Sequence, residues 1–188
     1  VTLNSSRTIG TLKFGDLNNN QDWTLGVANN AVLTLSGTPT INISNRTTTI
    51  NPVIAGTDGF TKTGGGALAL GSFANTFTGK IFLNAGQTRF RGSGAFGPDP
   101  GSLVADHITL NGGTLMNSDS NSVLTANYGI TLGASGGSLQ AGWSKSLVIE
   151  SPIVGSGNLT CVSDSTPGII FLNAANTYSG TTTIAGWV

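Results

Sequence analysis

The chain has 188 residues, with 8 Lys plus Arg against 8 Asp plus Glu, no net charge and only 9% charged residues, where an ordinary soluble domain carries about 25%. So sparse and balanced a charge excludes an electrostatic footprint for nucleic acid or for an anionic membrane surface. In its place stand 28 Gly and an abundance of Thr, Ser and Asn, which hold water through hydroxyls and amides and are poor helix formers.

Strands are the predicted elements throughout. Val1-Thr2-Leu3 reads as the first, followed by Thr8–Phe14, Ala31–Leu35, Ile41–Ile43, Ala67–Leu70, Ile108–Leu110, Ile130–Leu132 and finally Thr181–Ile184. The internal runs alternate apolar and polar residues, and clusters of Gly, Asn, Asp or Pro bound them at a spacing of roughly ten residues. The class is all-β.

An internal repeat runs through these strands. Ile50-Asn51-Pro52-Val53-Ile54-Ala55-Gly56 lines up with Ile149-Glu150-Ser151-Pro152-Ile153-Val154-Gly155, and Asn75-Thr76-Phe77-Thr78-Gly79 with Asn176-Thr177-Tyr178-Ser179-Gly180. Two blocks of about 100 residues, 1–90 and 91–188, are therefore expected within a single domain.

The segment Gly64-Gly65-Gly66-Ala67-Leu68-Ala69-Leu70, followed by Asn75-Thr76-Phe77-Thr78-Gly79-Lys80-Ile81-Phe82-Leu83-Asn84-Ala85-Gly86, resembles the autotransporter-associated, or passenger-associated, β-strand repeat. The second copy, Asn176 to Gly186, is one residue shorter, and its glycine-rich lead is replaced by Ser165–Phe171. The resemblance implies a right-handed, single-stranded parallel β-helix (a β-solenoid) exported across a bacterial envelope to the cell surface or the extracellular space. It implies no particular ligand. The physics of stacking agrees. A coil of about 20–25 residues cannot bury its own apolar face, and coils stacked about 4.8 Å apart supply both hydrogen bonds and core. The chain then makes roughly eight coils, a rod of about 40 Å.

Candidate sites are few. His107, beside Asp106, reads as a surface or turn residue, because adjacent strand residues face opposite ways and form no dyad. Asp16, Asp22, Asp58, Asp99, Asp119 and Asp164 sit in turn contexts, where Asp caps its own backbone; Asp99 and Asp119 are the one pair whose spacing suits stacked carboxylates. One Cys and one His do not make a zinc site, and no loop holds enough carboxylates for calcium. Gly64-Gly65-Gly66 lacks the Lys-Ser/Thr of a phosphate loop and reads as a corner. No cofactor is expected. Cys161 shares strand parity with Leu159 and reads as a small buried hydrophobe. Trp23, Trp143 and Trp187 are the candidate aromatic platform for a surface glycan or other partner.

Both ends read as strands, with no capping helix outside them, and an open terminal coil exposes core and unpaired backbone. The expectation is that coils continue beyond each end, or that chains stack head to tail through Val1, Leu3, Ile184 and Val188. No segment reads as a membrane span. The reading is a non-catalytic structural segment or subunit of a surface passenger or fibre. A carbohydrate-binding adhesin is the alternative, and a polysaccharide-cleaving enzyme a more distant third.

Overall fold

The computed structural model describes residues 1–118, 120–163 and 168–186. Its strands wind into a parallel β-solenoid of three faces. The first is a nine-stranded sheet of β1 (Thr2–Leu3), β3 (Trp23–Val27), β5 (Thr47–Ile50), β8 (Ala67–Leu70), β10 (Gln87–Phe90), β12 (Thr114–Asn117), β15 (Gly137–Ala141), β18 (Leu159–Ser163) and β20 (Thr182–Gly186). The second holds β2 (Arg7–Phe14), β4 (Val32–Ile43), β7 (Phe60–Thr63), β9 (Ile81–Leu83), β11 (Val104–Leu110), β14 (Tyr128–Leu132) and β17 (Ile153–Gly155), with β6 (Val53–Ala55) on the early part of β4. The third is β13 (Ser122–Leu124), β16 (Ser146–Ile149) and β19 (Ile169–Leu172).

Toward the N-terminus the third face continues without regular strands. Thr76 N donates to Ile54 O and Asn75 N to Gly94 O, in the short 3-10 turn Ser93–Phe96. Ser93 Oγ in turn donates to Val123 O of β13.

Register shows how evenly the coils stack. Ala67 pairs with Gln87, and Gln87 with Thr114, so these two coils take 20 and 27 residues. Eight steps along the nine-stranded sheet make a rod of about 40 Å. Period-2 alternation turns every second side chain inward, where parallel register stacks like on like. One column runs Thr48, Leu68, Thr88, Leu115, Leu139 and Cys161. Another runs Leu12, Ile41, Lys62, Leu83, Leu110 and Leu132.

Lys62 is the exception in that second column. Its side chain is fully buried among Leu and Ile. Its Nζ donates to Gly64 O at 2.7 Å, Gly66 O at 2.7 Å and Ala85 O at 2.9 Å, so all three ammonium protons have acceptors. The lysine thus ties the Gly64–Gly66 corner to the corner of the next coil. Burial pushes its pKa down to about 8.

The corners explain the repeated glycines. Gly56 and Gly155 occupy the same place in the repeat, at φ 118° and 108°. A Cβ there would stand 2.5 Å from Leu35 O and 2.3 Å from Leu132 O, so only glycine lets one coil lie on the next.

The two copies of the repeat do not lie above one another. Ile50 is in β5 of the first face, but its counterpart Ile149 is in β16 of the third. Likewise Phe60 belongs to the second face and Leu159 to the first. From Thr47, four coils lead through Ala67, Gln87 and Thr114 to Ser138, and β16 lies one side further on. The repeat therefore spans four coils and one extra side; Ile149 and Leu159 shift by one face from Ile50 and Phe60, while β6 and its counterpart β17 both pair within the second sheet.

Candidate functional site

The coil from β10 to β12 takes 27 residues, seven more than the coil before it, and the loop Gly97–Leu103 lies in that excess, ahead of β11. That loop overhangs the second face and walls a lateral cleft. Two depressions of about 330 and 520 Å³ share Gly79 and Lys80. Pro39, Asp58 and Phe82 border the first, while Pro98, Asp99, Pro100 and His107 border the second.

Between them Lys80 Nζ meets Asp106 Oδ2 at 2.7 Å, with both side chains about half exposed. Asp58 Oδ2 accepts from Gly37 N at 2.8 Å, which links the corner loops of successive coils. Asp99 Oδ1 accepts from Gly101 N at 2.8 Å and Asn127 Nδ2 at 2.6 Å, and the amide of Asn127 holds its carboxyl below the usual carboxylate range. The outward column of this face reads Thr11, Thr40, Thr61, Phe82, Thr109, Thr131 and Val154. Phe82 breaks the run of threonines, and its ring is 41% exposed.

The wall loop is pinned from beneath. Tyr128, buried in β14, donates from its hydroxyl to Gly97 O at 2.8 Å. Burial pushes that hydroxyl up to about 12, with the Asp99 carboxylate adding to the shift, so it stays a neutral donor. His107 Nε2 donates to Phe96 O at 3.2 Å, and its ring meets Tyr128 edge-on at 4.9 Å. The expectation that His107 is a surface or turn residue is therefore overturned: it lies in β11 and is 3% exposed. The cause is an irregularity in β11, whose register shifts between Val104 and Ile108, so that His107 and Ile108 are both buried. Burial pulls the His107 pKa down, and its proton is committed to a carbonyl, away from Asp106.

The residues singled out in the sequence scatter. Trp23 stands in the inward column above Thr48 at the N-terminal end, while Trp143 is 67% exposed in the turn after β15. Those strands are five steps apart in the sheet, about 24 Å. Trp187 and Val188 lie outside the described residues, as do Asp119 and Asp164. At one end of the first face, the amine of Val1 donates to Thr24 O and Leu3 packs half-buried on the core. At the other end Ile184 continues the inward column above Cys161, yet is 78% exposed. Cys161 is buried, as its parity predicts, and burial raises its thiol pKa. Asp16 caps its own turn, accepting from the backbone N–H groups of Asn18, Asn20 and Gln21.

Sequence reasoning missed Lys62 and Phe82. Parity with Phe60 and Ile81 was the signal available, since it turns Lys62 inward and Phe82 outward. Among the described residues no three His, Cys, Asp or Glu side chains gather as metal ligands, and no helix is long and apolar enough to cross a membrane.

Comparison with known proteins agrees with this architecture. The model of the passenger-associated-transport-repeat family matches residues 60–88 and 167–186, the segments that carry the two Asn-Thr-aromatic motifs. The chain is 35% identical over 188 residues to the "Adhesin BmaC autotransporter" of Brucella suis biovar 1 (strain 1330). That match takes in 98% of this chain but only 5% of the adhesin's length. No solved structure matches. The chain thus carries the passenger-associated-transport repeat at both positions, within the β-solenoid described above.

Proposed function

We propose that the chain is a non-catalytic rod segment of an exported cell-surface passenger, which carries adhesive lateral faces away from the cell. The observation that supports this best is the near-complete match of the chain to an adhesin autotransporter, joined to a fold in which every coil extends the same three faces. A polysaccharide-cleaving role is weaker. Glycoside hydrolysis uses two cooperating carboxyl groups, and in the cleft Asp106 is paired with Lys80 while Asp99 is held by Asn127 and Gly101.

Adhesion is tested by coating beads with the chain and counting attachment to cultured cells against beads coated with an unrelated β-solenoid. Higher attachment supports the reading, and equal attachment defeats it.

Stacking at the C-terminal end is a second, compatible proposal. Ile184 is exposed in an inward column, and with Ile170 and Leu172 it borders an apolar depression of about 240 Å³. A further coil, from the same polypeptide or from another copy, would bury that surface. Electron microscopy over a concentration series separates the cases: fibres with an axial repeat of one chain support copy-on-copy stacking, and short rods at every concentration refute it.

A further inference from the structure

We propose that the cleft on the second face binds a segment of neutral polysaccharide, with Phe82 as the stacking surface and the Lys80–Asp106 pair as the hydroxyl-recognising group. The proposal rests on the adhesive reading and names the ligand class for it.

Shape comes first. The two depressions share Lys80 and follow the rod from the Asp58 corner to the Pro98–Pro100 wall, so the site suits a linear ligand of several units. Each lies within the range of about 300–1,000 Å³ typical of small-ligand sites.

Chemistry narrows the class. A sugar hydroxyl donates and accepts at once, and Lys80 Nζ beside Asp106 Oδ2 offers both functions within 2.7 Å. Phe82 adds what a purely polar groove lacks. It is an exposed ring flanked in its outward column by Thr61 and Thr109, next to that ion pair. A flat apolar ring matches the C–H face of a pyranose. Its ring is the largest side chain in that column, whose other members are threonines and Val154.

Charge then selects among sugars. Asp58 and Asp99 line the cleft, and its one lining lysine, Lys80, is already paired with Asp106, which leaves an excess of two carboxylates and repels uronate, sialate or sulfate polymers. Rigidity favours binding as well. The wall loop carries two prolines and is held by Tyr128 on Gly97, His107 on Phe96 and Asn127 on Asp99, so little freedom is lost when a ligand docks.

The test is affinity electrophoresis or calorimetry of the chain against neutral polysaccharides (glucan, mannan, galactan) and acidic ones (polygalacturonate, hyaluronate). The expected result is binding to at least one neutral polymer. Phe82→Ala and Asp106→Asn should each weaken it at least tenfold, Phe82→Trp should retain it, and Trp143→Ala should leave it unchanged. Binding to acidic polymers alone, no binding to any, or wild-type affinity in Phe82→Ala and Asp106→Asn would overturn the proposal. Circular dichroism shows that each variant is folded; Phe82 points outward, so its loss leaves the core intact. The bead assay keeps the two readings apart. If wild-type beads attach and Phe82→Ala beads attach equally, the cleft proposal fails and the adhesive reading stands; if wild-type beads do not attach, the adhesive reading itself fails.

Discussion

Replacing Asn75 with alanine removes three hydrogen bonds from the interior. Its Oδ1 accepts from Ile54 N at 2.8 Å, and its Nδ2 donates to Ala95 O at 2.8 Å and Ser72 O at 3.2 Å. The side chain thus staples the coil before it to the coil after it, and it is 3% exposed. Asn75→Ala strands a buried N–H and a buried carbonyl, each costing about 1–3 kcal/mol when left unpaired. Water can reach Ser72 O more readily, so a total near 3 kcal/mol follows. The equivalent Asn176 makes the matching bond to Ile153 N at 2.8 Å, but it is only part-buried. There the loss should be about 1 kcal/mol. For a chain of this size 1 kcal/mol moves the melting temperature by about 2–4 °C. Scanning calorimetry of this chain should therefore show a fall of roughly 6–12 °C for Asn75→Ala and roughly 2–4 °C for Asn176→Ala. A drop for Asn176→Ala as large as that for Asn75→Ala would refute the reasoning, since it would mean that burial between coils does not set the cost.

The glycine corners make a second contrast: Gly56→Ala should cost well over 1 kcal/mol, because its Cβ meets Leu35 O, while Gly37→Ala, at φ 84° with nothing within 4 Å, should cost about 1 kcal/mol in denaturant titrations. Lys62 should make stability rise with pH between about 8 and 10.5. Its folded pKa is depressed, the unfolded chain binds more protons across that window, and the burial cost fades as the amine deprotonates; a flat profile, or the same rise in Lys62→Met, would refute this. His107 should act in the acid range. Its folded pKa is also lowered, so the stability it supports is present above about pH 6.5 and is lost as pH falls below that value. His107→Gln should flatten that loss in urea midpoints measured from neutral to acid pH, and an unchanged slope would count against a buried neutral ring.

Much of this fold was legible in the residues themselves. Alternation in runs such as Ala67–Leu70 and Ile130–Leu132, and turn residues such as Gly56 and Gly155, are local signals that determined the all-β class, while the parallel stacking in coils of about 20–25 residues came with the resemblance to the passenger-associated repeat. Parity alone placed Cys161 inside. What the tertiary structure decided is which coil lies on which, because register accumulates coil by coil, and the coils here take 20 to 29 residues. That accumulation moves Ile149 and Leu159 one face round from their counterparts Ile50 and Phe60. It sets Lys62 in a column of Leu and Ile beneath three carbonyls of neighbouring corners, and it brings Phe82 and the Lys80–Asp106 pair together near the loop Gly97–Leu103. The irregularity in β11 that buries His107 belongs to the same class. Strand and turn preferences act over a few residues, whereas these contacts join residues about 20 to 30 apart, and their geometry exists only once the coils are stacked.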